Sequence, residues 1–361
     1  MTELDTQRLR RYLASVVPGG IDGELAVRLL AGGRSNPTYE IRDGSRAWVL
    51  RRPPFGHVLA TAHDMRREHR VLSALAGTDV PVPTPLALCD DPEVIGAPFY
   101  VMTHLEGQVL ADPEDTAALR PDQRARLSEA VVDVLAKLHE VDVSEVGLTD
   151  WGRPTGYLQR QLARWKDQWE ASAPSGRAEG DELLARLARS VPETRFTGVV
   201  HGDFKLDNLM LDVDDPTRIL GVLDWEMSTL GDVLADLGTL LTFWDRPGEP
   251  AHPLTRGATA LEGFASRAWI VDEYARRRGV DLPEIDWYVA FADLKTAVIL
   301  EVIRARHHQG HTVGEGFDDI GDMVMPLLER ALSRTSASPV PVSRGARVDP
   351  GGNRPTTEDQ Q

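Results

Sequence analysis

Cysteine is almost missing from this sequence: Cys89 is the only one in 361 residues. A single thiol closes no intramolecular disulfide and offers no cluster for zinc or iron–sulfur, and Cys89 itself reads as a small buried apolar residue. Positive charge is short as well. Forty Lys and Arg face 56 Asp and Glu, a formal net charge of −16. That balance argues against a general nucleic-acid or anionic-membrane binder, which needs a basic face. It suits a cationic substrate, or solubility alone. Long apolar runs are absent too: none reaches the ~18 residues of a membrane span. The best stretch, 288–303, is broken by Asp293, Lys295 and Glu301. The opening MTELDTQRLRRYLASVV spaces its apolar residues helically and lacks the apolar core of a secretory signal. A cytoplasmic protein is expected.

What is present is ordinary globular chemistry, 42% hydrophobic and 27% charged, enough to bury a sizeable core. At ~150 residues per domain, the length suggests two domains or one two-lobed domain. Residues 4–17 read as an amphipathic helix, and 21–31 as a second short apolar-periodic stretch, so helices are expected to lead the chain. Gly32-Gly33-Arg34-Ser35-Asn36-Pro37 breaks the pattern. Two strand-like segments follow, 38–42 and 47–51, joined by Asp43-Gly44, a hairpin signal. Residues 62–76 carry a helical period; Pro81, Pro83 and Pro85 then hold the chain extended. Residues 98–104 look like a buried strand.

From Asp122 long amphipathic helices dominate, at 122–140, 156–171 and 181–189. Short β signals come at 198–200 with 208–212, and at 218–223. Helical patterns return at 232–243, 258–278, 286–308 and 317–334. The tail from Thr335 is rich in Pro, Gly, Ser and Thr and reads as disordered.

The chemistry concentrates in His201-Gly202-Asp203-Phe204-Lys205-Leu206-Asp207-Asn208, followed by Gly221-Val222-Leu223-Asp224-Trp225-Glu226. Any one Asp or Asn in a loop is more often a turn former or cap. Four polar residues beside two short β runs, in the order H-x-D-x-x-x-x-N with a later apolar-flanked Asp, form the layout of a phosphoryl-transfer centre. Transfer needs a carboxylate to accept a hydroxyl proton and hard oxygen ligands for Mg²⁺. Asp203 fits the base, Asn208 and Asp224 the metal. His201 fits a buried organiser of the catalytic loop better than a proton shuttle.

These residues resemble the aminoglycoside phosphotransferase family, the protein-kinase-like small-molecule kinases that include choline and fructosamine kinases. HGDFKLDNLMLD and VLDWEMSTLGDVLADL carry the likeness most strongly. GGRSNPTY, VLRRPP and MRREHRVLSAL are similar to the branch found as a kinase-like domain in some acyl-CoA-dehydrogenase-linked proteins. The resemblance implies an α+β, protein-kinase-like two-lobed fold. Its parts would be a β-rich nucleotide-binding lobe over 1–106, a helical lobe over 107–334 and a disordered tail over 335–361. It implies an ATP- and Mg²⁺-dependent kinase acting on a small-molecule hydroxyl, with a catalytically inactive nucleotide-binding module as the alternative. No nucleic-acid or membrane partner is expected. The acceptor would be aminoglycoside-like or a hydroxylated acyl or carboxylic metabolite.

Residue by residue, the likeness assigns Asp203 as base and Lys205 as a contact to the transferred phosphate, with a plain loop charge as the other reading of Lys205. Protein kinases carry Arg where Gly202 stands, often to receive a phosphorylated loop, so activation of that kind is not expected. Asp232 and Asp236, in Gly231-Asp232-Val233-Leu234-Ala235-Asp236-Leu237, read as structural carboxylates opening a helix. On the nucleotide side, Gly33 offers backbone N–H, and Ser35 and Asn36 a hydroxyl and an amide, to phosphates. Arg51 stands where the kinase pattern V-A-I-K has lysine, with Glu68 as its helix partner. Arg52, on the opposite face of the strand, is expected to leave nucleotide affinity unchanged when substituted, with a register in which Arg52 makes the phosphate contact as the other reading. Thr103 and Leu105 are expected to hold the adenine through backbone groups.

Overall fold

The computed structural model describes residues 4–30, 36–44, 46–54, 64–173, 177–309 and 319–336. Gly33, Ser35 and nearly all of the 335–361 tail lie outside the described residues. Helix α1 (Thr6–Val16) starts where the Asp5 carboxylate accepts the N–H of Gln7 and Arg8, at 3.1 and 2.9 Å. One turn apart, Leu9 and Leu13 bury its apolar face. The next apolar stretch is not a second helix. Residues Ala26–Leu29 form β1, an edge strand paired antiparallel with β2 (Thr38–Asp43), Ala26 facing Arg42 and Leu29 facing Tyr39. So short an apolar run fits either period, and the neighbouring strand decides.

Strands β2 and β3 (Arg46–Arg51) form the expected hairpin, turning through Gly44 at φ +74°. Helix α2 (Met65–Leu75) is capped by Asp64. Strand β4 (Pro85–Cys89) follows the proline series, then the short helix α3 (Pro92–Ile95) and β5 (Phe99–Thr103). The five strands make one antiparallel sheet in the order β1-β2-β3-β5-β4. Alternation along β3 sorts its two faces. Trp48 and Leu50 join Leu9, Leu13, Ile41 and Phe99 under α1. Val49 joins the other cluster, with Val71 of α2 and the helical part of the chain.

Beyond the sheet come β6 (Gly107–Gln108), α4 (Pro113–Ala117), α5 (Pro121–Glu140), α6 (Tyr157–Ser172) and α7 (Ala178–Arg189). Strands β7 (Thr197–Val200), β8 (Leu209–Asp212), β9 (Ile219–Val222) and β10 (Thr229–Asp232) follow, then α8 (Leu234–Thr242), α9 (Arg267–Arg278), α10 (Ile285–His308) and α11 (Val324–Ser336). Strand β7 does not pair with β8. It pairs with β10, Val200 opposite Thr229, while β8 pairs with β9 and β6. Helix α9 starts nine residues after the 258–278 pattern suggests, where the Ser266 hydroxyl accepts the Trp269 N–H at 3.1 Å.

Helix α10 is the axis of this half, buried almost all round from Trp287 to Val298 and packed against α6, α8 and α11. Its apolar run is a core helix. Among the described residues no helix is long and apolar enough to cross a membrane.

Candidate active site

Strand β7 delivers the chain to His201, and α8 holds it there. Both oxygens of Asp236 are engaged: one accepts the His201 N–H at 2.6 Å, the other the Gly202 N–H at 2.8 Å. Asp232 is the last residue of β10, and its carboxylate serves the start of α8 as expected. Its carboxylate accepts the Leu234 N–H at 3.1 Å and the Tyr288 hydroxyl at 2.9 Å, so it joins β10, α8 and α10. The His201 ring is fully buried. Its Nδ1 accepts the Asp203 N–H at 3.1 Å, so Nε2 carries the proton and donates to the Leu223 carbonyl at 2.8 Å. With both nitrogens committed, His201 organises the loop and moves no proton in this arrangement. Gly202 sits at φ +88°, and a Cβ there would come within 2.7 Å of the Met227 carbonyl oxygen. No side chain fits.

The Asp203 carboxylate accepts from Asn208 Nδ2 at 3.0 Å, and the same nitrogen meets the Asp203 carbonyl at 2.8 Å. Lys205 Nζ lies 3.3 Å from both Asp203 and Asp207. Burial pushes the Asp203 carboxyl up, but Lys205 and then Lys295 outweigh it and hold it below the usual range. It is therefore anionic at neutral pH, the state a base needs. Lys295 escaped the sequence reading. It sits 8% exposed on α10, and its ammonium donates to the Gly202 carbonyl. Burial lowers its own pKa against the pull of Asp203 and Asp236. The signal was a lysine inside YVAFADLKTAVIL, since a buried lysine is rarely without a partner.

The β8–β9 ribbon brings the other pair together. Leu209 faces Val222, and the Leu223 N–H donates to the Asn208 carbonyl at 2.8 Å, so Asn208 and Asp224 leave the ribbon at one end. Asp224 has left-handed backbone, φ 65° and ψ 65°, a conformation non-glycine residues rarely hold without a local reason.

Arg51 reaches across from β3. Its Nε lies 2.9 Å from Glu68, and its Nη2 lies 2.5 Å from Asp224 and 3.6 Å from Glu226. Burial works against the Arg51 charge, but Glu68 and Asp224 overcome it and raise its pKa, so the guanidinium is fixed as a cation. Glu68 is 2% exposed and accepts the Tyr100 hydroxyl at 2.9 Å. The Asn36 amide was expected to face phosphate. It is fully buried instead and donates to Glu68 and Glu226, both at 3.0 Å. Two buried carboxylates claim those donors.

Arg52 points to the opposite face from Arg51, as expected. It is 1% exposed, donating to the carbonyls of Pro53 at 3.0 Å and Ile95 at 3.3 Å. The opposite face of β3 is core, not solvent. At the connector, the Thr103 N–H donates to the Thr84 carbonyl at 2.9 Å, so the Thr103 backbone can meet a nucleotide only through its carbonyl. The Leu105 side chain lies over Gly221, where a Cβ would approach it to 2.5 Å.

Among the described residues no group of three His, Cys, Asp or Glu side chains could hold a metal ion. One carboxylate and one amide oxygen remain, Asp224 and Asn208. That hard, sparse donor set fits magnesium, which keeps waters and phosphate oxygens in its shell, and does not fit zinc.

The profile of the phosphotransferase enzyme family matches residues 26–278. Acyl-CoA dehydrogenase family member 11 of Rattus norvegicus is 36% identical over 357 residues, covering 96% of this chain and 45% of the relative. The chain thus spans about half the length of that relative. A protein from Ralstonia eutropha, assigned provisionally as an aminoglycoside phosphotransferase, is 33% identical with a TM-score of 0.80, covering 92% of this chain and 99% of that one. A thermostable mutant of aminoglycoside phosphotransferase APH(4)-Ia, in a ternary complex with ADP and hygromycin B, shares the fold at 16% identity. Its TM-score is 0.59, with 92% and 98% of the two chains covered. The long profile match and the end-to-end likeness to the Ralstonia protein agree with the geometry: the chain belongs to the phosphotransferase enzyme family and has the protein-kinase-like α+β fold of its aminoglycoside members.

Proposed function

We propose that this chain is an ATP- and magnesium-dependent kinase that phosphorylates a hydroxyl group of a small molecule in the cytoplasm. The observation that carries the reading is Arg51, anchored on Glu68 and reaching Asp224 beside a catalytic loop whose base is already ionised. In this reading Asp203 accepts the proton of the acceptor hydroxyl, while Lys205, 3.3 Å away, faces the transferred phosphoryl. Asn208 and Asp224 would hold the cation, and Arg51, released from Asp224, would face the nucleotide phosphates. Magnesium, when bound, neutralises phosphate charge. The Thr103 carbonyl and Leu105 backbone frame the adenine, and Gly33 and Ser35 offer donors to the phosphates. The division into a nucleotide-binding lobe to residue 106 and a helical lobe from 107 to 334 belongs to the same proposal.

Of the two acceptor classes, we favour the hydroxylated acyl or carboxylic metabolite, because acyl-CoA dehydrogenase family member 11 matches 96% of this chain at 36% identity. The cations beside the base, Lys205 and Lys295, are matched by Asp203, Asp207 and Asp236. A kinase assay scored by ADP release, run over aminoglycosides, sugars, choline and hydroxyacyl thioesters, tests both parts. Turnover is expected with an anionic acceptor and is abolished in Asp203→Ala and Asp224→Ala. Turnover confined to aminoglycosides would overturn the acceptor class.

One observation favours the inactive nucleotide-binding module: Arg51 neutralises Asp224 in the resting arrangement. Nucleotide binding without Mg²⁺-dependent ADP release from any acceptor would decide for that module.

A further inference from the structure

Asn36 stands at the foot of β2 and is fully buried. Its side-chain nitrogen carries two protons, and each meets a carboxylate. One goes to Glu68 Oε1 of α2, the other to Glu226 Oε2 in the turn after β9, both at 3.0 Å. A single neutral amide thus joins the strand entry, helix α2 and the turn that follows Asp224. Its own backbone is fixed independently. The Asn36 carbonyl accepts the Thr38 hydroxyl at 3.2 Å, and the next residue, Pro37, accepts the Arg52 N–H at 3.2 Å.

Arg51 approaches the same two carboxylates. Its Nε lies 2.9 Å from Glu68 Oε2, which also accepts the Tyr100 hydroxyl at 2.9 Å. Asn36 and Arg51 therefore divide Glu68 between them, one oxygen each. Glu226 is not divided. The oxygen that accepts from Asn36, Oε2, is the one that faces Arg51 Nη2 at 3.6 Å, too far for a hydrogen bond. Two donors point at one oxygen, and Asn36 holds it.

The arrangement bears on where the Arg51 fork can go. Glu68 anchors it, and Asp224 belongs to the proposed cation site. Glu226 is the third carboxylate within ion-pair reach, and neither of those roles uses it. A carboxylate that loses a hydrogen bond takes up another donor, and the charged donor already facing Glu226 Oε2 is Arg51. Such a bond would commit the guanidinium arm that is otherwise open to phosphate oxygens.

We propose that Asn36 is a positioning residue for Arg51: by holding Glu226, it keeps that carboxylate from drawing the guanidinium away from the nucleotide. The role rests on the kinase reading, in which Arg51 serves the phosphates. Asn36 then acts on the nucleotide site through Arg51, with no contact of its own to phosphate.

Calorimetric titration with Mg·AMP-PNP of the full chain, Asn36→Ala, Glu226→Gln and the double variant tests it. Asn36→Ala should weaken binding by ~10-fold, the scale of one hydrogen bond to a charged group. In the Glu226→Gln background the same change should cost less than about 3-fold, because a neutral side chain offers Arg51 no charge. A role limited to packing, or to holding Glu68 alone, gives the same loss in both backgrounds. That result would overturn the proposal, as would parental affinity in Asn36→Ala. Should Asn36→Ala lack a cooperative thermal transition, Asn36→Ser, which is too short to span both carboxylates, carries the same comparison. Absence of saturable binding in the parent chain would instead overturn the kinase reading, and this role with it.

Discussion

Arg51 meets three carboxylates from one strand position: Glu68, Asp224 and Glu226. Only a fork can do this. A lysine ammonium is a single point on a flexible stem, so Arg51→Lys keeps charge but not the simultaneous grip on Glu68 and Asp224. We expect Mg·ATP affinity to fall by ~1–2 kcal/mol, less than in Arg51→Ala, by calorimetric titration. The neighbouring Arg52→Ala should leave affinity near that of the parent while lowering Tm, because Arg52 is a buried donor to Pro53 and Ile95. Equal affinity losses in both would remove Arg51 from the nucleotide site. At the other end of the reaction, Asp203→Asn should lower kcat by roughly 10²–10⁴-fold with nucleotide binding kept. Near-parental turnover would take Asp203 out of the mechanism. Asp224→Ala should instead damage Mg·ATP binding itself, since it removes the one carboxylate of the proposed cation site.

Elements differ in how openly the chain declares them. Helices α2, α5, α6 and α10 follow from local periodicity, and the β2–β3 hairpin from Asp43-Gly44, because those signals are contained in adjacent residues. The H-x-D-x-x-x-x-N segment was legible because the chemistry restricts residue type and spacing together. What stayed hidden was non-local. Strand β7 pairs with β10 across the whole catalytic loop and the β8–β9 ribbon, and nothing in either short segment names its partner. Lys295 carried a local signal as a lysine in an apolar run, but nothing along α10 names the Gly202 carbonyl it contacts. Asp236 shows the same limit: a helix-opening carboxylate by sequence, it is a clamp on two catalytic-loop N–H groups in space. Asp236→Asn keeps one acceptor and turns an NH₂ towards the second N–H. We expect ~1–3 kcal/mol of lost stability and a fall in kcat larger than any change in nucleotide affinity. Unchanged melting and turnover would mean the loop holds its shape without the clamp.

At the scale of the whole molecule, acid acts through two sets of groups at different pH. His139 and His252 are buried, and burial holds both below the ordinary histidine value of 6.5, His252 at about 2. Unfolded, each takes up a proton near 6.5; folded, each does so only at lower pH. The unfolded state therefore binds more protons below that pH, and stability falls as pH drops through it, by at most ~1.4 kcal/mol per unit for each histidine. Carboxylates act later. Hydrogen bonds from Arg28 and then Arg42 hold Glu40 at about 2, and Arg276 leads the groups that hold Glu273 there, against an ordinary value of 4.5. Their contribution is complete above 4.5 and is lost between 4.5 and about 2. Titration of surface carboxylates meanwhile relieves the repulsion of a chain at −16, which opposes both losses. The expected profile of Tm against pH declines first between 6.5 and 5 and steepens below 4.5. His252→Asn should flatten the first decline and leave the second, while Glu40→Gln should lower stability at neutral pH and flatten the second. Thermal melts from pH 7.5 to 3 on the three proteins separate the two sets. A His252→Asn profile parallel to the parent throughout would mean that His252 takes up its proton without unfolding the chain.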